Sequence, residues 1–142
     1  MRTLQNIKDH YQFTEVEAEI LRGLRSTVEP HADAIIRDFY NHFLQYPDTA
    51  RFLDDDRISR LQPLHKAWLL ALFQGPFDER YCQRLQRIGY SHVRIGLSAH
   101  FVYVGMNLVR RELAKIVGSE VEPALRPSTM VAVNKILDLN LD

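Results

Sequence analysis

The chain has 142 residues, with 18 Lys and Arg against 18 Asp and Glu, and 46% hydrophobic and 25% charged residues. This is the composition of one ordinary globular domain large enough to bury its own core. The balanced charge argues against a nucleic-acid partner, and the lone Cys82 excludes an internal disulfide and suits a reducing compartment. The N-terminal stretch MRTLQNIKDHYQF lacks the apolar centre of a signal peptide. The most apolar runs, AWLLALF and FVYVGMNLV, are too short to span a bilayer. The sequence therefore reads as soluble and cytoplasmic, without membrane insertion.

Taken in chain order, the elements are helical throughout, and no hairpin signal interrupts them. Thr14 with Glu17 three residues on forms a capping box opening TEVEAEILRGLRSTV. A second helix starts around Pro30, runs through HADAIIRDFYNHFLQY and stops before Pro47. After a short connection holding Phe52, Asp54, Asp55 and Asp56 suit a helix start. The helix they open carries RLQPLHKAWLLALFQ to the Gly75-Pro76 break, with a bend or a late start expected at Pro63. DERYCQRLQRIGYSH follows, and RIGL is the corner leaving it. Ser98 caps SAHFVYVGMNLVRRELAKIV, and a last helix, PSTMVAVNKILDLNLD, follows Pro127. That helix has no stop signal, so an N-terminal fragment of a longer protein is expected.

Helical spacing sorts the inward faces. Tyr81, Leu85, Ile88 and His92 share one stripe; Leu61, His65, Leu69 and Leu72 share another; Ile36, Tyr40 and Phe43 form a third, with Phe39 beside it. Two imidazoles and a phenol thus point inward from three helices. An inward imidazole is ordinarily a core group bonded to a carbonyl, and an inward tyrosine ordinarily fills volume. Neutral imidazole is also the side chain that haem iron most readily takes. Spacing leaves both readings open.

FYNHF (residues 39–43), LHKAWLLALFQG (64–75), RIGYSHVRIGL (87–97) and YVGM (103–106) resemble the sensor globin domain of the globin-coupled sensors, bacterial haem proteins related to the protoglobins. The similarity runs from about Phe13 through the last helix, and its most specific element is the histidine followed by Val-Arg-Ile-Gly-Leu. The resemblance implies an all-α globin fold, a three-over-three helical sandwich with an extra N-terminal segment, spanning residues 1–142 as one domain. It implies haem b between the central and proximal helices, a homodimer through the last two helices, and a covalently linked C-terminal output domain. Residue by residue, it implies that His92 is the proximal iron ligand and that Tyr40 is a distal hydrogen-bond donor to bound gas. Tyr103 matches a second pocket tyrosine, here read mainly as packing. Phe43, Leu61, Leu69, Leu72, Ile88 and Ile95 complete the expected haem-lining set. Gly89 would allow close approach of haem or a neighbouring helix, and Gly96 would release the backbone at the corner; either could also be an ordinary helix breaker.

His65 departs from the family pattern. Relatives commonly keep a small or apolar residue on that part of the central helix, leaving the sixth iron position open. Here bis-histidyl ligation by His92 and His65 is expected, the alternative being a distal histidine that only hydrogen-bonds gas. His10 and His31, near helix ends, are read as exposed, His42 and His100 as surface or interface groups, and Cys82 as inert. Leu108, Val109, Met130, Val133 and Leu137 serve the core, a dimer interface, or both. The leading function is a sensor of oxygen, carbon monoxide, nitric oxide or redox state. A globin acting enzymatically on nitric oxide or peroxide, and a haemless globin-like interaction module, are the alternatives.

Overall fold

A computed structural model describes residues 3–142; Met1 and Arg2 of the N-terminal stretch lie outside them. Among the described residues all regular structure is helical. The main helices are α1 (Leu4–His10), α2 (Glu15–Val28), α3 (Ala32–Leu44), α4 (Pro47–Ala50), α5 (Asp55–Ala71), α6 (Glu79–Arg94), α7 (Ala99–Glu120) and α8 (Arg126–Leu141). Short 3-10 turns at Glu29–His31 and Pro123–Leu125 lead into α3 and α8.

Most of the starts follow from local chemistry. The Thr14 hydroxyl accepts from Val16 N–H, and Glu17 reaches back to the Thr14 N–H at 2.8 Å, completing the expected box. Asp54, Asp78 and Ser98 cap α5, α6 and α7 by accepting from the N–H groups of Arg57, Tyr81 and His100. Pro63 lies inside α5, which begins at Asp55, so the late start does not occur. α1 and α4 are additions to the expected elements. Thr3 and Asn6 cap α1 reciprocally, and Pro47 at the first turn of α4 supplies a preset φ where no N–H is needed.

The core sits where α2, α3, α5, α7 and α8 meet. Leu21, Val28, Leu69, Leu72, Phe73, Val109, Leu113, Val117, Val133, Ile136 and Leu137 are almost fully buried there. α7 packs on α8, α2 on both, and α3 lies against α5 and α7. Leu108, Val109, Val133 and Leu137 are therefore taken up by the chain's own core; Met130 is half-buried and Val131 half-exposed. Two ties close the ends. Lys135 on α8 binds Glu17 at 2.6 Å and the Gln12 carbonyl at 2.9 Å, and the Tyr11 hydroxyl donates to Asp142 at 3.1 Å. No described helix is long and apolar enough to cross a membrane.

Candidate functional site

α3 and α5 bring the site together. Tyr40 and Phe43 are buried on α3, and the Tyr40 hydroxyl lies 2.8 Å from Nδ1 of His65 on α5. The His65 ring is walled by aromatic edges: Phe39 at 4.6 Å, Tyr40 at 5.4 Å and Trp68 at 5.8 Å between centroids. Phe39 can sit this deep because residue 105 on α7 is glycine; a Cβ there would lie 2.9 Å from the Phe39 ring. This gives the YVGM segment a local reason.

His92 is half-buried in the last turn of α6, and its position is set by how that helix ends. The Leu97 N–H returns to the His92 carbonyl at 3.0 Å and the Gly96 N–H to the Val93 carbonyl at 3.0 Å, with Gly96 at φ +74. This is a Schellman closure, which needs a left-handed residue and takes glycine for it. Gly96 therefore does release the corner. Gly89 does not bring a neighbouring helix close, since a Cβ there would meet no atom within 4 Å.

His65 senses His92. Burial first, and then the charge of His92, hold the His65 pKa down at about 4; burial also pushes that of His92 down. Both rings are accordingly neutral at neutral pH, the form that carries a lone pair for a metal. Burial pushes the Tyr40 phenol up to about 12, so it remains a protonated hydrogen-bonding group.

The remaining expected lining residues divide. Leu69 and Leu72 are fully buried in the core, while Leu61 is half-buried beside it. Ile88, Ile95 and Tyr103 are 39%, 47% and 57% exposed, so the α6 stripe is buried at Tyr81 and opens toward His92. Large apolar side chains left open on the His92 end of α6 and the first turns of α7 suit a flat apolar group better than they suit water. No cluster of three or more His, Cys, Asp or Glu side chains able to hold a bare metal ion occurs among the described residues. A haem brings four nitrogen donors of its own and asks the protein for one or two imidazoles, so the donor set fits the cofactor that the sequence resemblance implies.

A model of the Protoglobin family matches residues 1–142, the whole chain. The chain belongs to the protoglobin family. Its fold is that of the globin domain of a globin-coupled sensor from Geobacter sulfurreducens: TM-score 0.94, 42% identity, covering 100% of this chain and 95% of that one. The ferrous globin domain of Escherichia coli DosC matches at TM-score 0.80 and 20% identity over 95% of each chain, a likeness of fold. The heme-based aerotactic transducer HemAT of Halobacterium salinarum is 30% identical over 98 residues, 66% of this chain and only 20% of the transducer.

Other histidines of this protoglobin domain differ in their settings. His31 is half-buried and contacts Glu120 at 2.6 Å, joining the start of α3 to the end of α7, a partner that helix-end position did not suggest. His42 packs against the rings of Phe43 and Tyr46; His10 and His100 are exposed. Cys82 is half-buried, and burial, followed by nearby Glu79, raises its thiol pKa, which keeps it unreactive. Two residues near the site were missed. Trp68, one turn beyond His65, was legible from spacing. Asn140 on α8 was not: it takes the Trp68 indole N–H at 3.1 Å and donates to the Tyr81 hydroxyl at 2.9 Å, contacts across 72 and 59 residues of chain.

Proposed function

We propose that this chain is a haem-binding sensor domain that holds haem b between α5 and α6 and reports a diatomic gas, oxygen foremost, or redox state to a covalently linked output domain in the cytoplasm. The observation that carries the reading is the pair of neutral imidazoles, His65 and His92, presented from separate helices, with the charge of His92 felt at His65. The globin-coupled sensor and aerotactic transducer relatives support it. When bound, the haem supplies an iron centre able to take oxygen, carbon monoxide or nitric oxide. His92 would hold that iron from α6, and Ile88, Ile95 and Tyr103 would offer the haem apolar contacts. His65 would be the second imidazole for that iron and would compete with gas for it. An internal bond favoured by about 2 kcal/mol leaves about 3% of molecules open and weakens apparent gas affinity about thirtyfold. Competition of this kind would couple gas binding to the position of α5, as a sensor requires. The activity is binding rather than turnover. Pairing of two copies through α7 and α8 belongs to the same reading, with Val131 and Met130 among the apolar groups that remain accessible for it.

The test is spectroscopic. The purified chain should carry a Soret band and be six-coordinate and low-spin in both iron states. His65→Leu should make the ferrous form five-coordinate and speed carbon monoxide binding. A parent protein already five-coordinate when ferrous removes His65 as a ligand and leaves it a hydrogen-bonding distal residue. A chain that takes up no haem is a haemless globin-like module.

A further inference from the structure

The hydrogen bond between Tyr40 and His65 has a direction, and the direction decides what His65 can do. A neutral imidazole carries one N–H. If Nδ1 holds the proton, it donates to the Tyr40 oxygen and Nε2 keeps the lone pair that a metal needs. If the phenol donates to Nδ1, the proton sits on Nε2, which is then a hydrogen-bond donor and no ligand. The surroundings choose between these arrangements. Tyr40 is 4% exposed, so its hydroxyl has little water to turn to. Among the described residues its single polar partner is Nδ1 of His65, at 2.8 Å. Were Nδ1 the donor, the phenol proton would be buried without an acceptor, at the cost such groups carry. With the phenol as donor, the buried phenol proton keeps an acceptor, and the proton without a protein partner is the one on Nε2 of the half-buried imidazole. The Phe39 and Trp68 rings flanking the imidazole hinder a ring turn that would present Nε2 to Tyr40 instead.

We propose that Tyr40 is a positioning residue that donates to Nδ1 of His65, fixes the His65 proton on Nε2, and so restrains His65 as an iron ligand while preparing it as an N–H donor to bound gas. Tyr40 thus acts through His65, in place of the direct bond to gas that the family pattern suggests. The inference rests on the reading of His65 as a competing ligand only for its effect on gas binding; the tautomer itself does not depend on it.

Two measurements on the haem-loaded chain separate these parts. In the diamagnetic ferrous carbon monoxide form, where His65 is off the iron, histidine 15N–1H correlation spectra at neutral pH should show His65 protonated on Nε2, and Tyr40→Phe should move its population toward Nδ1. In the ferrous parent background, Tyr40→Phe should slow carbon monoxide binding about two- to tenfold, the range set by losing one neutral hydrogen bond. In a His65→Leu background the same substitution should leave the carbon monoxide on-rate unchanged, because the residue it acts through is gone. An Nδ1–H tautomer in the parent, or a lower low-spin fraction in Tyr40→Phe, overturns the assignment and makes Tyr40 an acceptor that promotes ligation. Equal slowing in both backgrounds overturns it in favour of packing alone. A parent that is five-coordinate throughout defeats the competing-ligand reading and leaves the tautomer result to stand or fall alone.

Discussion

Glu17→Gln probes the tie between the first helices and α8, and its pH dependence can be worked from the structure. Glu17 lies with its side chain 12% exposed and accepts from the Thr14 N–H at 2.8 Å, the Thr14 hydroxyl at 2.5 Å and the Lys135 ammonium at 2.6 Å. Burial raises its pKa, but the bonds from Lys135 and Thr14 outweigh this and hold it at about 2, against 4.5 for a free carboxyl. The unfolded chain therefore binds a proton more readily than the folded one. Stability from Glu17 is complete above the unfolded value and is lost as pH falls toward the folded one. The full difference is worth about 3 kcal/mol at neutral pH, of which about 2 kcal/mol has gone by about pH 3. Urea unfolding of parent and Glu17→Gln at pH 7 and pH 3 should show the parent losing about 2 kcal/mol more than the variant between the two conditions. Parallel losses, within about 0.5 kcal/mol, would refute the strong tie and leave Lys135–Glu17 an ordinary surface pair.

Two further outcomes are expected. His92→Ala should abolish stable haem binding or leave a weak complex with an altered spectrum, checked by haem titration; unchanged retention and spectrum would move the proximal role elsewhere, with His100 next in line. Gly105→Ala should destabilise the fold by about 1 kcal/mol on thermal unfolding, since overpacking costs about 1–3 kcal/mol and the helix-propensity gain returns about 1 kcal/mol. It should also shift the Soret region by pushing Phe39 toward His65; a more stable variant with an identical spectrum would show that Phe39 yields freely.

What could be read in the sequence was what local chemistry decides. Thr14, Asp54, Asp78 and Ser98 open their helices because a short polar side chain beside its own N–H groups needs no distant partner. α4 escaped because four residues after Pro47 carry no period to detect. The inward stripes of α3 and α5 named Tyr40, Phe43 and His65, yet a period tells which face is inward and not which residue it will meet. The bond between Tyr40 and His65, and the donor role it implies, needed the packing of α3 on α5. On α6 the arithmetic treated the stripe as uniform; burial instead falls from Tyr81, edge-on to Phe77, to a half-exposed Ile88. The family resemblance, carried by His92 and its Val-Arg-Ile-Gly-Leu, supplied the fold that periodicity alone left open.

The side chain of Asn140 has one carbonyl and one amino group, and the structure uses both. The carbonyl receives Trp68 of α5; the amino group serves the Tyr81 hydroxyl of α6 and the Ile136 carbonyl of its own helix. One rigid amide plane therefore gauges the distance between the helix that carries His65 and the helix that carries His92. If those helices separate by more than a hydrogen bond can stretch, the amide can follow one and must abandon the other, at a cost of about 1–3 kcal/mol for the partly buried group left behind. The last turn of α8 is thus tied at once to the helix of His65 and to the helix of His92.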